Sequence, residues 1–201
     1  FDKFAMTAQM REDLKNMIYV IDGLFVEGYH TYVYGASGSG KTTILLSLCF
    51  EMVELGYTVY FFYLDGEQFS ASKVSEEIDK RNMQDNYKIL TDGTMPEYVE
   101  ILNGFVNKKE PLNKTVFILD TFKFLSTDVN NKNANKKAMH FIKDICKLGA
   151  TFISLGHTNK DGKNQSGTAE IEQDSDALLK IDSSEAMDDE NNIVSTIQQG
   201  G

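Results

Sequence analysis

Gly35-Ala36-Ser37-Gly38-Ser39-Gly40-Lys41-Thr42 decides how the rest of this chain is read. The eight residues fit G-x-x-x-x-G-K-[ST] and stand between an apolar strand-like run, His30 to Tyr34, and a helical run, Thr43 to Leu55, apolar enough to be largely buried. Glycines let successive backbone N–H groups turn toward one point without Cβ interference, and a helix N-terminus adds partial positive charge, so the loop is an anion nest. Lys41 can reach the β and γ phosphates of a nucleotide and the Thr42 hydroxyl can ligate Mg2+, while Gly35, Ala36, Ser37, Gly38, Ser39, Gly40 and Thr43 complete the cradle. The competing reading is a Gly/Ser turn with an incidental lysine. The strand-loop-helix setting favours phosphate, with ATP and Mg2+ as the expected cofactors.

The remaining composition fits such a domain. At 201 residues, with 41% hydrophobic, 25% charged and 2 Pro, the chain has room for one α/β domain with a sizeable core. Its net charge of -10, from 20 basic against 30 acidic residues, gives no whole-surface field for nucleic acid or an anionic membrane, so nucleic-acid binding has to be local. Cys49 and Cys146 lie far apart in apolar segments, with neither a disulfide framework nor metal-ligand spacing, which points to a reducing cytoplasm. His30, His140 and His157 are likewise widely separated, and a protein-only metal site is not expected. No apolar run approaches the roughly 20 residues of a membrane span, so no membrane partner is expected. The chain starts without Met and stops at Gly200-Gly201 just after a strand-like run, which is read as a piece of a longer protein.

Outward from the loop, strand-like and helical runs alternate. Residues 5 to 17 read as an amphipathic helix, and residues 19 to 28 as a lead-in with an Asp22-Gly23 turn. Residues 1–30 therefore form an N-terminal helix and lead-in, and residues 31–201 the main domain. There the sequence predicts strands over 58–64, 87–90, 115–119 and 151–155, with helices near 70–82, 96–108 and 134–148 between them, the pattern of βαβ units. VYFFYL, TVFIL and TFISL are continuously apolar, as parallel strands covered on both faces should be. Two later strands, 177–181 and 192–197, flank the acidic stretch SSEAMDDEN, read as a solvated hairpin loop. Asp128 to Lys137 (DVNNKNANKK) reads as a mobile polar loop running into a helix.

In an open α/β sheet the carboxyl ends of the strands converge on the ligand, so the residues there are the candidates for chemistry. The run Thr115 to Leu119 ends in Asp120, placed as a Walker B carboxylate for the Mg2+ shell; a turn or cap aspartate is the plainer alternative. Thr121 follows it where many oligomeric ATPases carry a water-activating glutamate, so the base must come from elsewhere or hydrolysis is slow. The run Tyr60 to Leu64 ends in Asp65-Gly66-Glu67, which makes Glu67 the candidate general base. His157, after Thr151 to Leu155 and Gly156, can hydrogen-bond phosphate or the following loop, or be a half-buried histidine with no role.

The segments GASGSGKT, YFFYLDGE, VFILDTF and LGHTNKDG, in that order, resemble the RecA-like P-loop ATPase core, and specifically the plasmid RepA-type hexameric replicative helicases with their phage and integrated-element relatives. VIDGLFVEG is similar to that group's lead into its first strand, and the resemblance spans about residues 17 to 182. It implies a largely parallel sheet with helices on both faces, a C-terminal antiparallel hairpin extension and a homo-oligomeric, hexameric ring. It assigns water activation to Glu67 and γ-phosphate sensing to His157. The loops after these strands would face a central pore and hold single-stranded DNA, making Lys160, Lys163, Lys123 and Lys132, with Lys136 and Lys137, the candidate backbone contacts; solvated loop lysines are the alternative. Such motors complete each site with a neighbour's Arg or Lys. The only arginines are Arg11 and Arg81, neither after the last strands, so the isolated chain is expected to bind nucleotide, turn it over weakly and fail to hold a ring. A RecA/RadA or KaiC-like ATPase in recombination or signalling, and a nucleotide-binding assembly module with little hydrolysis, stand as alternatives.

Overall fold

The computed structural model describes residues 6–8, 17–64, 68–126, 128, 130–158, 169–187 and 193–199. The amphipathic helix expected over residues 5–17 therefore falls mostly outside the described residues. The lead-in is a small antiparallel hairpin, β1 (Tyr19–Ile21) and β2 (Phe25–Val26), closed where Leu24 N donates to Ile21 O at 3.0 Å and Gly23 takes φ +69°. It adds two strands where the sequence announces only a turn. Val20, Ile21 and Phe25 are buried in the same core as the main sheet.

That sheet holds β3 (His30–Gly35), β4 (Thr58–Tyr63), β5 (Tyr87–Leu90), β6 (Thr115–Asp120), β7 (Thr151–His157), β8 (Ala177–Met187) and β9 (Ile193–Gln199), in the order β5-β4-β6-β7-β3-β8-β9. Six strands run parallel, and only β9 is antiparallel, to β8. Among the described residues the helices of this domain are α1 (Lys41–Glu54), α2 (Gln68–Lys80), α3 (Met95–Lys108), α4 (Lys132–Cys146) and α5 (Ala169–Asp174). This is the expected α/β arrangement with its antiparallel C-terminal hairpin.

The apolar runs are continuous because each face of the sheet packs on something. Val33, Val59, Phe61, Ile118, Ile153 and Leu155 point to one side, against Leu45, Leu46, Cys49 and Met52 of α1. Their neighbours Tyr32, Phe62, Phe117, Leu119 and Phe152 point to the other, against Leu102 of α3 and Met139, Ile142 and Ile145 of α4. Each fully buried side chain of this size stabilises the fold by about 1.5–3 kcal/mol.

Two sequence expectations change. The polar stretch from Asp128 to Lys137 is mainly helix: Asn131 caps α4 by accepting from the N–H groups of Asn133 and Ala134, and the Ser126 hydroxyl donates to the buried Asn135 Oδ1 at 2.5 Å. Lys132, Lys136 and Lys137 are thus helical residues and not loop residues. The stretch taken for a hairpin loop is partly strand as well, since β8 runs through Ser183 to Met187 and pairs Asp182 with Thr196 and Met187 with Ile193. Composition underestimates β8 because a strand in a hairpin tolerates polar residues that a central strand does not.

At the amino-terminal end of β3, His30 is fully buried, its Nε2 paired with Ser154 Oγ at 2.8 Å and its Nδ1 without a partner. Burial, with a smaller contribution from the Lys143 charge, pushes its pKa from 6.5 down to about 3. The folded chain keeps this imidazole neutral, while the unfolded chain takes up a proton as pH falls below 6.5. Stability conferred by the neutral ring is therefore complete above that value and drains away between pH 6.5 and about 3. Urea unfolding of wild type against His30→Gln should show the wild type losing up to about 1.4 kcal/mol more per pH unit between pH 6 and 4.

Candidate functional site

Parallel register assembles the candidate residues at one edge of the sheet. Gly35, the last residue of β3, sits opposite His157, the last of β7, and β6, on the other side of β7, ends in Asp120. The chain leaves β3 through the glycine-rich loop, where Gly38 and Gly40 adopt φ +78° and +84°, and α1 then starts at Lys41. Those two left-handed residues turn the loop back over its own strand, a conformation costly for side chains with a Cβ. Around the loop lies a cavity of about 380 Å³ whose walls include Lys41, Thr42, Thr43, Asp120, Thr121 and His157.

Inside it, Lys41 Nζ donates to the carbonyls of Gly35 at 3.0 Å and Ala36 at 2.7 Å, with Ser39 Oγ at 3.4 Å. Burial lowers the pKa of this amine, and the nearby Asp120 carboxylate opposes that shift. The Thr42 hydroxyl donates to Asp120 Oδ2 at 2.6 Å, although the two residues are 78 positions apart. Two hard oxygen donors touching each other beside an ammonium group suit a small divalent cation with a polyphosphate: Mg2+ is held by one or two protein oxygens, completing its shell with phosphate and water. Among the described residues no cluster of three or more His, Cys, Asp or Glu could hold a metal by itself, and this site needs none.

Of the other sequence candidates, His157 lies on the cavity wall and is exposed, where a half-buried position is one of the two readings of the sequence. Glu67, Lys160 and Lys163 lie outside the described residues. Lys123 is exposed in a short 3-10 turn, Phe122–Phe124, with its Nζ 5.1 Å from the centre of the Phe124 ring, and Lys132 is exposed in the first turn of α4. Neither lines the cavity. Three further lining residues are not site candidates in the sequence: Leu46 of α1, Tyr63, the last residue of β4, and Thr121, marked there only as the absence of a glutamate and buried at 4% exposure. The rule that strand ends face the ligand directs attention to the neighbourhood of Tyr63 and Thr121, but not to Leu46 inside the helix.

The loop is also held from the other side. A Cβ built on Gly35 would collide with the backbone carbonyl oxygen of Ile181 in β8 and come within 2.9 Å of Ser39 Oγ. A Cβ on Gly156, next to His157, would collide with the hydroxyl of Tyr32.

Residues 6–163 match the family described as AAA domain. No curated protein matches the chain. Among solved structures, a KaiC-like protein from the hyperthermophilic archaeon Pyrococcus horikoshii OT3 is similar at 15% identity and a TM-score of 0.60, covering 90% of this chain and 82% of that one. The ATPase domain of G40P is similar at 13% identity and a TM-score of 0.66, covering 94% and 92%. At these identities the likeness establishes the RecA-like P-loop ATPase fold.

Because the carbonyl facing Gly35 is backbone and cannot rotate away, Gly35→Ala should destabilise the chain by about 1–3 kcal/mol in chemical denaturation. Gly104→Ala in α3, where no atom lies within 4 Å of the added Cβ, should leave the midpoint unchanged or raise it slightly.

Proposed function

This chain belongs to the AAA domain family, its match spanning residues 6–163, and on that footing we propose that its RecA-like P-loop ATPase domain is the motor of a replicative DNA helicase of the RepA type, coupling Mg-ATP hydrolysis to movement along single-stranded DNA. The observation that carries the ATPase part is the 2.6 Å contact between Thr42 and Asp120 beside Lys41, which brings a phosphate-loop helix and a distant strand end into one site.

In this reading the backbone N–H groups of residues 35–43 and the Lys41 ammonium bind the phosphates. Thr42 and Asp120 would hold Mg2+, which when bound neutralises phosphate charge. Glu67, at the exit from β4, accepts a proton from the attacking water. His157 senses the terminal phosphate and passes its state into the segment that follows, where Lys160 and Lys163 meet the DNA backbone; Lys123 and Lys132 are the further contacts. The pairing of Gly35 with His157 across β3 and β7 supports the sensing role, because it sets the loop and the start of that segment side by side. The motor domain is residues 31–201, with 1–30 as an N-terminal helix and lead-in, and the working form is a homohexameric ring in the cytoplasm that supplies a trans Arg or Lys. No described helix is long and apolar enough to cross a membrane.

A recombination or signalling ATPase is the second reading, favoured by the likeness to a KaiC-like protein. ATPase rates with and without single-stranded DNA separate the two when followed by unwinding of a forked duplex. Stimulation by DNA with unwinding supports the helicase; hydrolysis indifferent to DNA overturns it. Lys41→Ala should abolish nucleotide binding, while Glu67→Gln should retain binding and lower the rate by about 10²-fold or more.

A further inference from the structure

We propose that the Thr121 hydroxyl is a positioning group for the terminal phosphate of a bound nucleoside triphosphate, an inference that rests on the nucleotide-site reading above. Thr121 directly follows Asp120, lines the same cavity and is 4% exposed, and its Oγ1 is buried without a hydrogen-bond partner. A buried hydroxyl left unpaired is destabilising, and native structures satisfy nearly all such groups.

A partner close at hand goes unused. Thr121 is the N-cap of the 3-10 turn Phe122–Phe124, with extended backbone at φ -122° and ψ 167°, yet its side chain makes no cap hydrogen bond. Threonine at a helix N-cap normally accepts from an N–H of the first turn. Here only the backbone carbonyl of Thr121 serves the turn, accepting from Phe124 N at 3.1 Å. Two further buried side-chain atoms lack partners among the described residues, His30 Nδ1 and Thr31 Oγ1, and both belong to the opposite end of the sheet, at the start of β3. Thr121 alone of the three borders the cavity.

The neighbouring chemistry selects the ligand group. Asp120 is already engaged by Thr42 at 2.6 Å and carries the negative charge of this wall. Unlike a glutamate at this position, which could take a proton from water, the neutral hydroxyl donates a hydrogen bond to a phosphate oxygen at no electrostatic cost. Such a contact made to the triphosphate and not to the diphosphate separates the two nucleotide states.

Calorimetric binding of ADP and of a non-hydrolysable ATP analogue, both with Mg2+, tests this on wild type, Thr121→Val and Thr121→Ser, together with the Tm of each protein without nucleotide. Thr121→Val should weaken the analogue about fivefold to tenfold, change ADP by less than about twofold, and leave Tm equal or higher because an unpaired hydroxyl is gone. Thr121→Ser should restore analogue binding. Unchanged affinity for the analogue in Thr121→Val overturns the inference, as does an equal loss for both nucleotides accompanied by a lower Tm, which marks a structural residue. Wild type that binds neither nucleotide, like Lys41→Ala, overturns the site reading itself and this inference with it.

Discussion

The parallel pairing of β3 with β7 on one side and β8 on the other is the constraint on which the site depends. A strand hydrogen-bonded on both edges has its register fixed residue by residue, from His30 opposite Phe152 to Gly35 opposite His157. A one-residue slip would turn Val33 and Tyr32 to each other's faces and empty both halves of the core. The core therefore defines where β3 ends, and the end of β3 defines where the loop begins. Thr42 reaches Asp120 because packing along the length of β3 leaves no other register available.

The two ends of the sheet have opposite characters. The carboxyl edge gathers an ammonium, several hydroxyls, an imidazole and a carboxylate around a cavity, with polar groups in close contact. The amino edge around His30 buries its one titratable ring, neutral and enclosed, and Asp176 Oδ2 accepts from the His30 backbone N–H at 2.9 Å to tie β3 to the start of β8. Charge at that edge is paired near the surface, as Lys114 is with Glu27 at 2.9 Å, and kept out of the buried ring itself.

Much of this was legible in the sequence, for reasons that can be named. The runs VYFFYL, TVFIL and TFISL announce doubly covered parallel strands by their lack of alternation, and the glycine loop announces its own conformation. Boundaries were less legible. Apolar periodicity stops at Leu155, but β7 continues through Gly156, a residue that breaks the pattern because the Tyr32 hydroxyl occupies the place of its Cβ. The asparagine-rich stretch looked like a loop because the features that make it a helix, an Asn131 cap and a buried Ser126–Asn135 pair, depend on geometry that composition does not carry. Thr121 was visible only as a missing glutamate; its burial and its unused capping position emerge from the fold.

The close approach of Gly35 to the Ile181 carbonyl has a mechanical side. Backbone in contact with backbone has no rotamer through which to yield, so the loop and β8 are geared together like two teeth. The hairpin β8–β9 closes one edge of the sheet, the place where another chain would most readily press or pull. Only a residue without a Cβ at the first position of the phosphate loop lets β8 lie this close, so the outermost hairpin and the phosphate-binding turn share one fixed spacing.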